Sequence, residues 1–135
     1  MAKSLFFIDD DEIFLYLLER TCKKIKTVTK VYTAMHGKDG LDKIDSWLAN
    51  KTPLPNIMFV DVNMPIMDGF EFLAKFKKKR EESVELKKII PLVMLTSSQQ
   101  ASDKERARET GIIEKYIIKP SDTKEMEKML KELTE

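Results

Sequence analysis

Four places in this 135-residue chain carry residue types that could share one piece of chemistry. Asp9, Asp10 and Asp11 follow an apolar run that ends at Ile8. Asp61 follows another that ends at Val60; Thr96, Ser97 and Ser98 follow a third, and Lys119 and Pro120 a fourth. Carboxylates held close together repel one another, and burial raises their pKa values. A hard divalent cation removes that conflict, and Mg²⁺ prefers oxygen ligands in octahedral array while keeping some water. Such an ion also neutralises phosphoryl oxygens in transfer chemistry. Lys119 offers a point charge for another phosphoryl oxygen, and the Thr96 hydroxyl can donate a hydrogen bond to a third. A carboxylate can act as the nucleophile and form an aspartyl phosphate. Each residue alone has a plainer explanation. An Asp at a strand-to-helix junction is often only an N-cap, Thr96 can end a strand for steric reasons, and Lys119 can be a solvated lysine. All four places matching one chemistry is the stronger signal.

The elements that must position these residues alternate along the chain. Ser4–Ile8 reads as a short buried strand, and 13–25 as a helix with Phe14, Leu17, Leu18, Thr21 and Ile25 on one face. Residues 28–34 form a more polar strand suited to a sheet edge, and 38–50 a helix with Leu41, Ile44 and Leu48 inward and Trp47 beside them. Pro53 and Pro55 break the chain. Residues 57–60 are apolar throughout, as in a parallel sheet covered on both faces. A helix over 68–80 carries Asp68 and Glu71 at capping-box spacing. A fourth strand follows over 89–95, with Pro91 near its start. Ser102 and Glu105 are placed to cap a fourth helix that Gly111 ends. A fifth strand covers 113–118, and a fifth helix covers 121–133 with Met126, Met129, Leu130 and Leu133 inward. Five strand-then-helix units with short links imply right-handed crossovers and a parallel sheet with helices on both sides. In such a sheet chemistry gathers beyond the carboxyl ends of the strands, which is where the four acidic, hydroxyl and lysine positions fall.

Composition narrows the function classes. The length suits one domain, 1–135, with no room for an attached output domain after the fifth helix. Hydrophobic residues make up 42% and charged residues 35%, a globular balance. With 24 Lys plus Arg against 23 Asp plus Glu, no broad attraction to DNA or a membrane surface is expected. The one strong basic cluster, Lys77 to Arg80, reads as the C-terminal end of the third helix, where cations offset the dipole. No apolar stretch reaches membrane-spanning length. The single cysteine, Cys22, allows no internal disulfide and reads as a packing residue, so a reducing, cytoplasmic setting is expected. His36 is isolated and reads as an exposed loop residue.

The stretch from Asp61 through Val62, Asn63, Met64, Pro65, Ile66, Met67 and Asp68 to Gly69 resembles the phosphoacceptor motif of the response-regulator receiver domain. The pair Asp9–Asp10, the pair Thr96–Ser97 and the pair Lys119–Pro120 complete that pattern, and the resemblance covers essentially the whole chain. It implies a flavodoxin-like, doubly wound α/β fold: a five-stranded parallel sheet in the order 2-1-3-4-5 with five helices. It also implies that Asp61 is the phosphorylated residue. Asp10, Asp61 and the backbone carbonyl of Asn63 would bind Mg²⁺ or Mn²⁺, with Asp9 acting through water. Lys119 would pair with the phosphoryl group or with Asp61, Thr96 would be the switch hydroxyl, and Tyr116 the aromatic that follows it. The donor would be a histidine kinase or a histidine phosphotransfer protein, and the chain would catalyse only its own phosphorylation and dephosphorylation.

The fourth helix is poor in apolar residues, chiefly Ala101 and Ala107, so it should be loosely held and easily shifted. The face made by the fourth helix, fifth strand and fifth helix is therefore the expected surface for a downstream protein target or a second copy of the chain. Two other readings compete. A haloacid-dehalogenase-like phosphatase would use Asp9 and Asp11 in an Asp-x-Asp arrangement, but leaves Asp61 without a role. A docking module that has the fold but no phosphorylation is the other. A DNA-binding regulator would need a helix-turn-helix segment and a basic surface, and the chain shows neither.

Overall fold

The alternation of side chains along the strands decides how the layers assemble. In β1 (Lys3–Ile8), Leu5 and Phe7 point to one face of the sheet and Phe6 and Ile8 to the other. Both sets are fully buried, so both faces must be covered. β3 (Ile57–Asp61) repeats the pattern, with Ile57 and Phe59 on the first face and Met58 and Val60 on the second. The computed structural model describes residues 2–89, 92–96 and 101–135, the side chains of 92–96 and 101 excepted.

The remaining elements are α1 (Glu12–Cys22), β2 (Val28–Ala34), α2 (Gly37–Asn50), α3 (Gly69–Glu82), β4 (Leu92–Thr96), α4 (Ala101–Glu109), β5 (Lys115–Ile118) and α5 (Thr123–Thr134). The five strands are parallel and run in the order β2-β1-β3-β4-β5, as expected for the flavodoxin-like arrangement. α1 and α5 cover the Leu5–Phe7 face through Phe14, Leu15, Leu18, Cys22, Met126 and Leu130. On the opposite face, α2 and α3 bring Leu41, Ile44, Phe72, Leu73 and Phe76 against Phe6 and Ile8.

Several expected boundaries move. α1 ends at Cys22, and the chain turns there, with Ile25 N–H donating to the Cys22 carbonyl at 3.0 Å. Ile25 is still buried, but beyond the helix. Within α1, Leu15 and Cys22 join Phe14, Leu18 and Thr21 in the buried face, while Leu17 is only partly covered. The fourth strand starts at Leu92 and the fifth at Lys115, both later than their apolar runs. The apolar character of Ile89 serves burial rather than strand pairing; Pro91 lies outside the described residues. The charged link after α3 holds a 3-10 helix, Val84–Lys88, that the apolar periodicity does not announce. It seats one residue: Leu86 is fully buried in the α3 side of the core. Lys79 and Arg80 fall in the last turn of α3, as the dipole argument requires. α4 begins at Ala101, so Ser102 lies inside the helix rather than at its cap.

Polar side chains fix where the helices start. Asp11 accepts from Phe14 N–H at 3.1 Å, Asp122 from Glu125 N–H at 2.8 Å, and Asp68 and Glu71 form the expected capping box. His36, expected in a loop, caps α2: its Nδ1 accepts from Asp39 N–H at 3.1 Å. Trp47 joins the core edge, 4.9 Å from the Phe6 ring and 4.7 Å from Tyr32.

Candidate functional site

Parallel strands deliver their last residues to one rim, and adjacent strands deliver them side by side. β1 and β3 are neighbours, with Ile8 paired to Val60. Asp9 therefore leaves the sheet next to Asp61. The Asp9 backbone N–H is tied to the Ala34 carbonyl at 3.0 Å, which holds the residue at the end of β1. Its Oδ1 accepts from Asp11 N–H at 3.0 Å. Asp9 is 1% exposed and Asp61 5%, whereas Asp10 is exposed. Asp9, Asp10 and Asp61 each offer one carboxylate oxygen within 4.8 Å of the others. Asp11 is committed to capping α1, so of the three consecutive acids Asp9 and Asp10 are the two that stand with Asp61.

Lys119 follows β5 and reaches back across this rim. Its Nζ lies 2.8 Å from Asp9 Oδ2 and 3.5 Å from Asp61 Oδ2. The resemblance put it beside Asp61; its nearer partner is Asp9. Asp9 Oδ2 is buried, and among the described residues the Lys119 ammonium is its one close polar neighbour, in a charge-assisted contact. The ammonium also sits 4.7 Å from the centre of the Phe14 ring.

These contacts leave the acids frustrated. Burial, and then the Asp9 charge, push the Asp61 carboxyl up to about 7, although Lys119 opposes the shift. Burial likewise raises Asp9, again against Lys119 and the Asp11 N–H. Burial alone would lower the Lys119 ammonium, but its two carboxylate neighbours more than reverse this and its pKa is raised. One cation cannot neutralise three carboxylates. The surplus negative charge and the short spacing of three oxygens together fit a small divalent cation.

The other expected residues are placed less tightly. Asn63 is exposed, two residues beyond Asp61. β4 reaches Thr96, paired with Ile118 next to Lys119. The Thr96 side chain, Ser97 and Ser98 lie outside the described residues. Tyr116 is half-buried in β5, packs against the α3 side of the core and carries Lys104 Nζ 6.0 Å from its ring centre. Phe14 beside Lys119 was legible only as a core residue, because helical periodicity reports that it points inward and not what it meets.

The loop after Asp61 is strained. Ile66 has φ 68, a conformation costly for a β-branched residue, and its side chain is 76% exposed. Little burial is lost on truncation, so Ile66→Gly is expected to stabilise the protein by about 1 kcal/mol. A urea midpoint below that of the unmodified chain would show that Ile66 contributes contacts that outweigh the strain.

Among the described residues, no helix is long and apolar enough to cross a membrane. Comparison with known proteins agrees with the arrangement. The chain is 24% identical over 131 residues to the probable methanogenesis regulatory protein FilR2 of Methanothrix harundinacea, covering 97% of this chain and 81% of that one. Its fold is similar to that of the phosphorylated cyanobacterial phytochrome response regulator RcpA, with a TM-score of 0.81 at 23% identity, covering 98% of this chain and 91% of the other. It is also similar to the Mn²⁺-bound form of response regulator Rcp1, with a TM-score of 0.78 at 24% identity and the same two coverages. The family model for the response regulator receiver domain matches residues 5–131, and the chain belongs to that family.

Proposed function

We propose that this receiver domain is a phosphoryl switch in which Asp61 accepts the group in a divalent-metal-dependent reaction. The observation that carries the reading is the rim itself: a buried Asp61 carboxylate within 4.8 Å of two other acids and 3.5 Å from the Lys119 ammonium. Asp10, Asp61 and the Asn63 carbonyl would hold the ion directly, with Asp9 acting through water. Mg²⁺ and Mn²⁺ both suit oxygen ligands of this kind. When bound, the ion supplies charge neutralisation to the phosphoryl oxygens.

The donor is a phosphohistidine on a histidine kinase or a histidine phosphotransfer protein. An Asp61 oxygen attacks phosphorus in line; a P–O bond forms, the P–N bond breaks, and its electron pair returns to the imidazole nitrogen. Lys119 stays over the developing negative charge, and Thr96 donates its hydroxyl to a phosphoryl oxygen. The chain's catalysis is confined to its own phosphorylation and dephosphorylation.

The new dianion must bias a two-state element, and α4 is the candidate. Among its described side chains only Ala107 is buried. The further contacts described around it include charged side chains laid on aromatic rings, Arg106 3.9 Å from the Phe70 ring centre and Lys104 6.0 Å from that of Tyr116, and, just past its end, Lys77 Nζ donating to the Thr110 carbonyl at 3.1 Å. Such contacts exchange readily for others. The α4, β5 and α5 face, sensed through Thr96 and Tyr116, is then the surface for a downstream protein or a second copy. The phosphatase alternative gains no support, since Asp11, the second acid of its motif, is occupied as the α1 cap.

Incubation with acetyl phosphate and Mg²⁺ tests the proposal by intact mass. One phosphoryl group is expected on the unmodified chain and none on Asp61→Asn. No mass gain with any phosphodonor would favour the docking-module reading instead.

A further inference from the structure

Among the described residues, the Lys119 ammonium has contacts of two kinds. Two are carboxylates, Asp9 at 2.8 Å and Asp61 at 3.5 Å. The third is the face of Phe14, at 4.7 Å from the ring centre, well inside the range where an aromatic quadrupole attracts a cation. Phe14 is 8% exposed and anchored on α1 among Leu15, Leu18 and the residues of β1. It cannot follow the lysine; the lysine must come to it. The Lys119 side chain is itself mostly covered, at 17% exposure, so water screens this contact poorly.

The two kinds of contact behave differently during phosphoryl transfer. Both carboxylates change what they face: by the reading above, on which this inference rests, Asp61 becomes the acceptor and Asp9 turns toward the cation and its water. Until the phosphoryl oxygens arrive to pair with it, a flexible four-carbon side chain whose carboxylate partners are shifting would spread over several rotamers. Among the described neighbours of Lys119, the Phe14 ring is the one whose attraction does not depend on the state of the acids. The geometry points to Phe14 as a positioning residue that holds the Lys119 ammonium over the acceptor site by a cation–π contact throughout the reaction.

Ordinary core packing would also bury Phe14, so the test must weaken the quadrupole without changing the shape. Replacing Phe14 by mono-, di- and trifluorophenylalanine does this. The readout is the rate of phosphorylation by acetyl phosphate at saturating Mg²⁺, with thermal midpoints recorded alongside. The logarithm of the rate is expected to fall stepwise with fluorine number, to about tenfold below the starting rate for the trifluoro ring, at near-constant midpoint. Phe14→Leu should show a similar loss and Phe14→Tyr should restore the rate. In a Lys119→Met background the series should be flat. If the unmodified chain reacts normally and its fluorinated series is also flat, Phe14 only fills space and the inference is overturned. If the unmodified chain takes no phosphoryl group at all, the underlying switch reading fails, and this inference with it.

Discussion

Gly69→Ala is expected to lower stability by about 3 kcal/mol or more and to displace Asp61. A Cβ at position 69 would lie 2.2 Å from the Asp61 carbonyl oxygen and 3.0 Å from both the Asp61 carbonyl carbon and Val62 Cα. All three are backbone atoms, so no rotamer change relieves the clash. The N-terminal end of α3 would have to move away from β3. That movement would stretch the bond from Gly69 N–H to the Val62 carbonyl, now 2.8 Å. The Asp68–Glu71 capping box sits on the same turn and would shift with it. Gly111→Ala is the natural control. That glycine has φ +73, but among the described residues a Cβ there meets only Lys77 Nζ, at 3.8 Å, so a cost of about 1 kcal/mol is expected. Urea denaturation of both variants, with phosphorylation by acetyl phosphate, checks the argument. Equal losses for the two would mean that close packing at 69 is unimportant.

The second large effect has opposite signs for activity and stability. Asp61→Asn should abolish phosphorylation, yet stabilise the metal-free chain at neutral and alkaline pH. The reason lies in the buried acids. Burial and the Asp9 charge push Asp61 from its ordinary 3.8 up to about 7. A carboxyl whose pKa is raised on folding binds its proton more tightly in the native state. Its contribution to stability is thus greatest below about pH 4 and is lost as pH rises toward 7, then levels off. The full shift corresponds to at most about 4 kcal/mol. The amide of the Asp61→Asn variant carries no charge, so most of that loss should disappear, with no gain expected at pH 4. Saturating Mg²⁺ should flatten the pH dependence of the unmodified chain in the same way, because the ion replaces the proton. Thermal midpoints across pH 4–8, with and without Mg²⁺, measure all three curves. An Asp61→Asn variant less stable than its parent at pH 8 in the absence of metal would refute the picture of mutually repelling acids.

Much of the architecture was legible because it rests on local rules. Alternating strands and helices, an unbroken apolar third strand and a capping pair at Asp68 and Glu71 all follow from side-chain period and backbone valence. The acids were legible too, since each follows an apolar run that stops abruptly. What failed were endings and second purposes. Ile25, Ile89 and Ile113 are apolar yet lie outside the elements their runs suggested, because hydrophobicity reports burial and not hydrogen bonding. Leu86 required a short 3-10 helix that no periodicity announces. His36 carried no cue to its capping role, as histidine is not among the residues favoured there.

The order of residues along the chain therefore settled which side chains stand at the strand ends and what chemistry they could share. Distance remained open, because a strand order says which strand ends are neighbours and not how closely their side chains approach. The resemblance already implied β1 beside β3; the folded sheet added the register, Ile8 against Val60, that sets Asp9 next to Asp61. The same packing carried Lys119 nearer to Asp9 than to Asp61, set the Phe14 ring against its ammonium, and left Asp11 to cap a helix rather than join the acids. Charges far apart along the chain acquire energies only when burial removes the water between them, and that is a property of the assembled core alone.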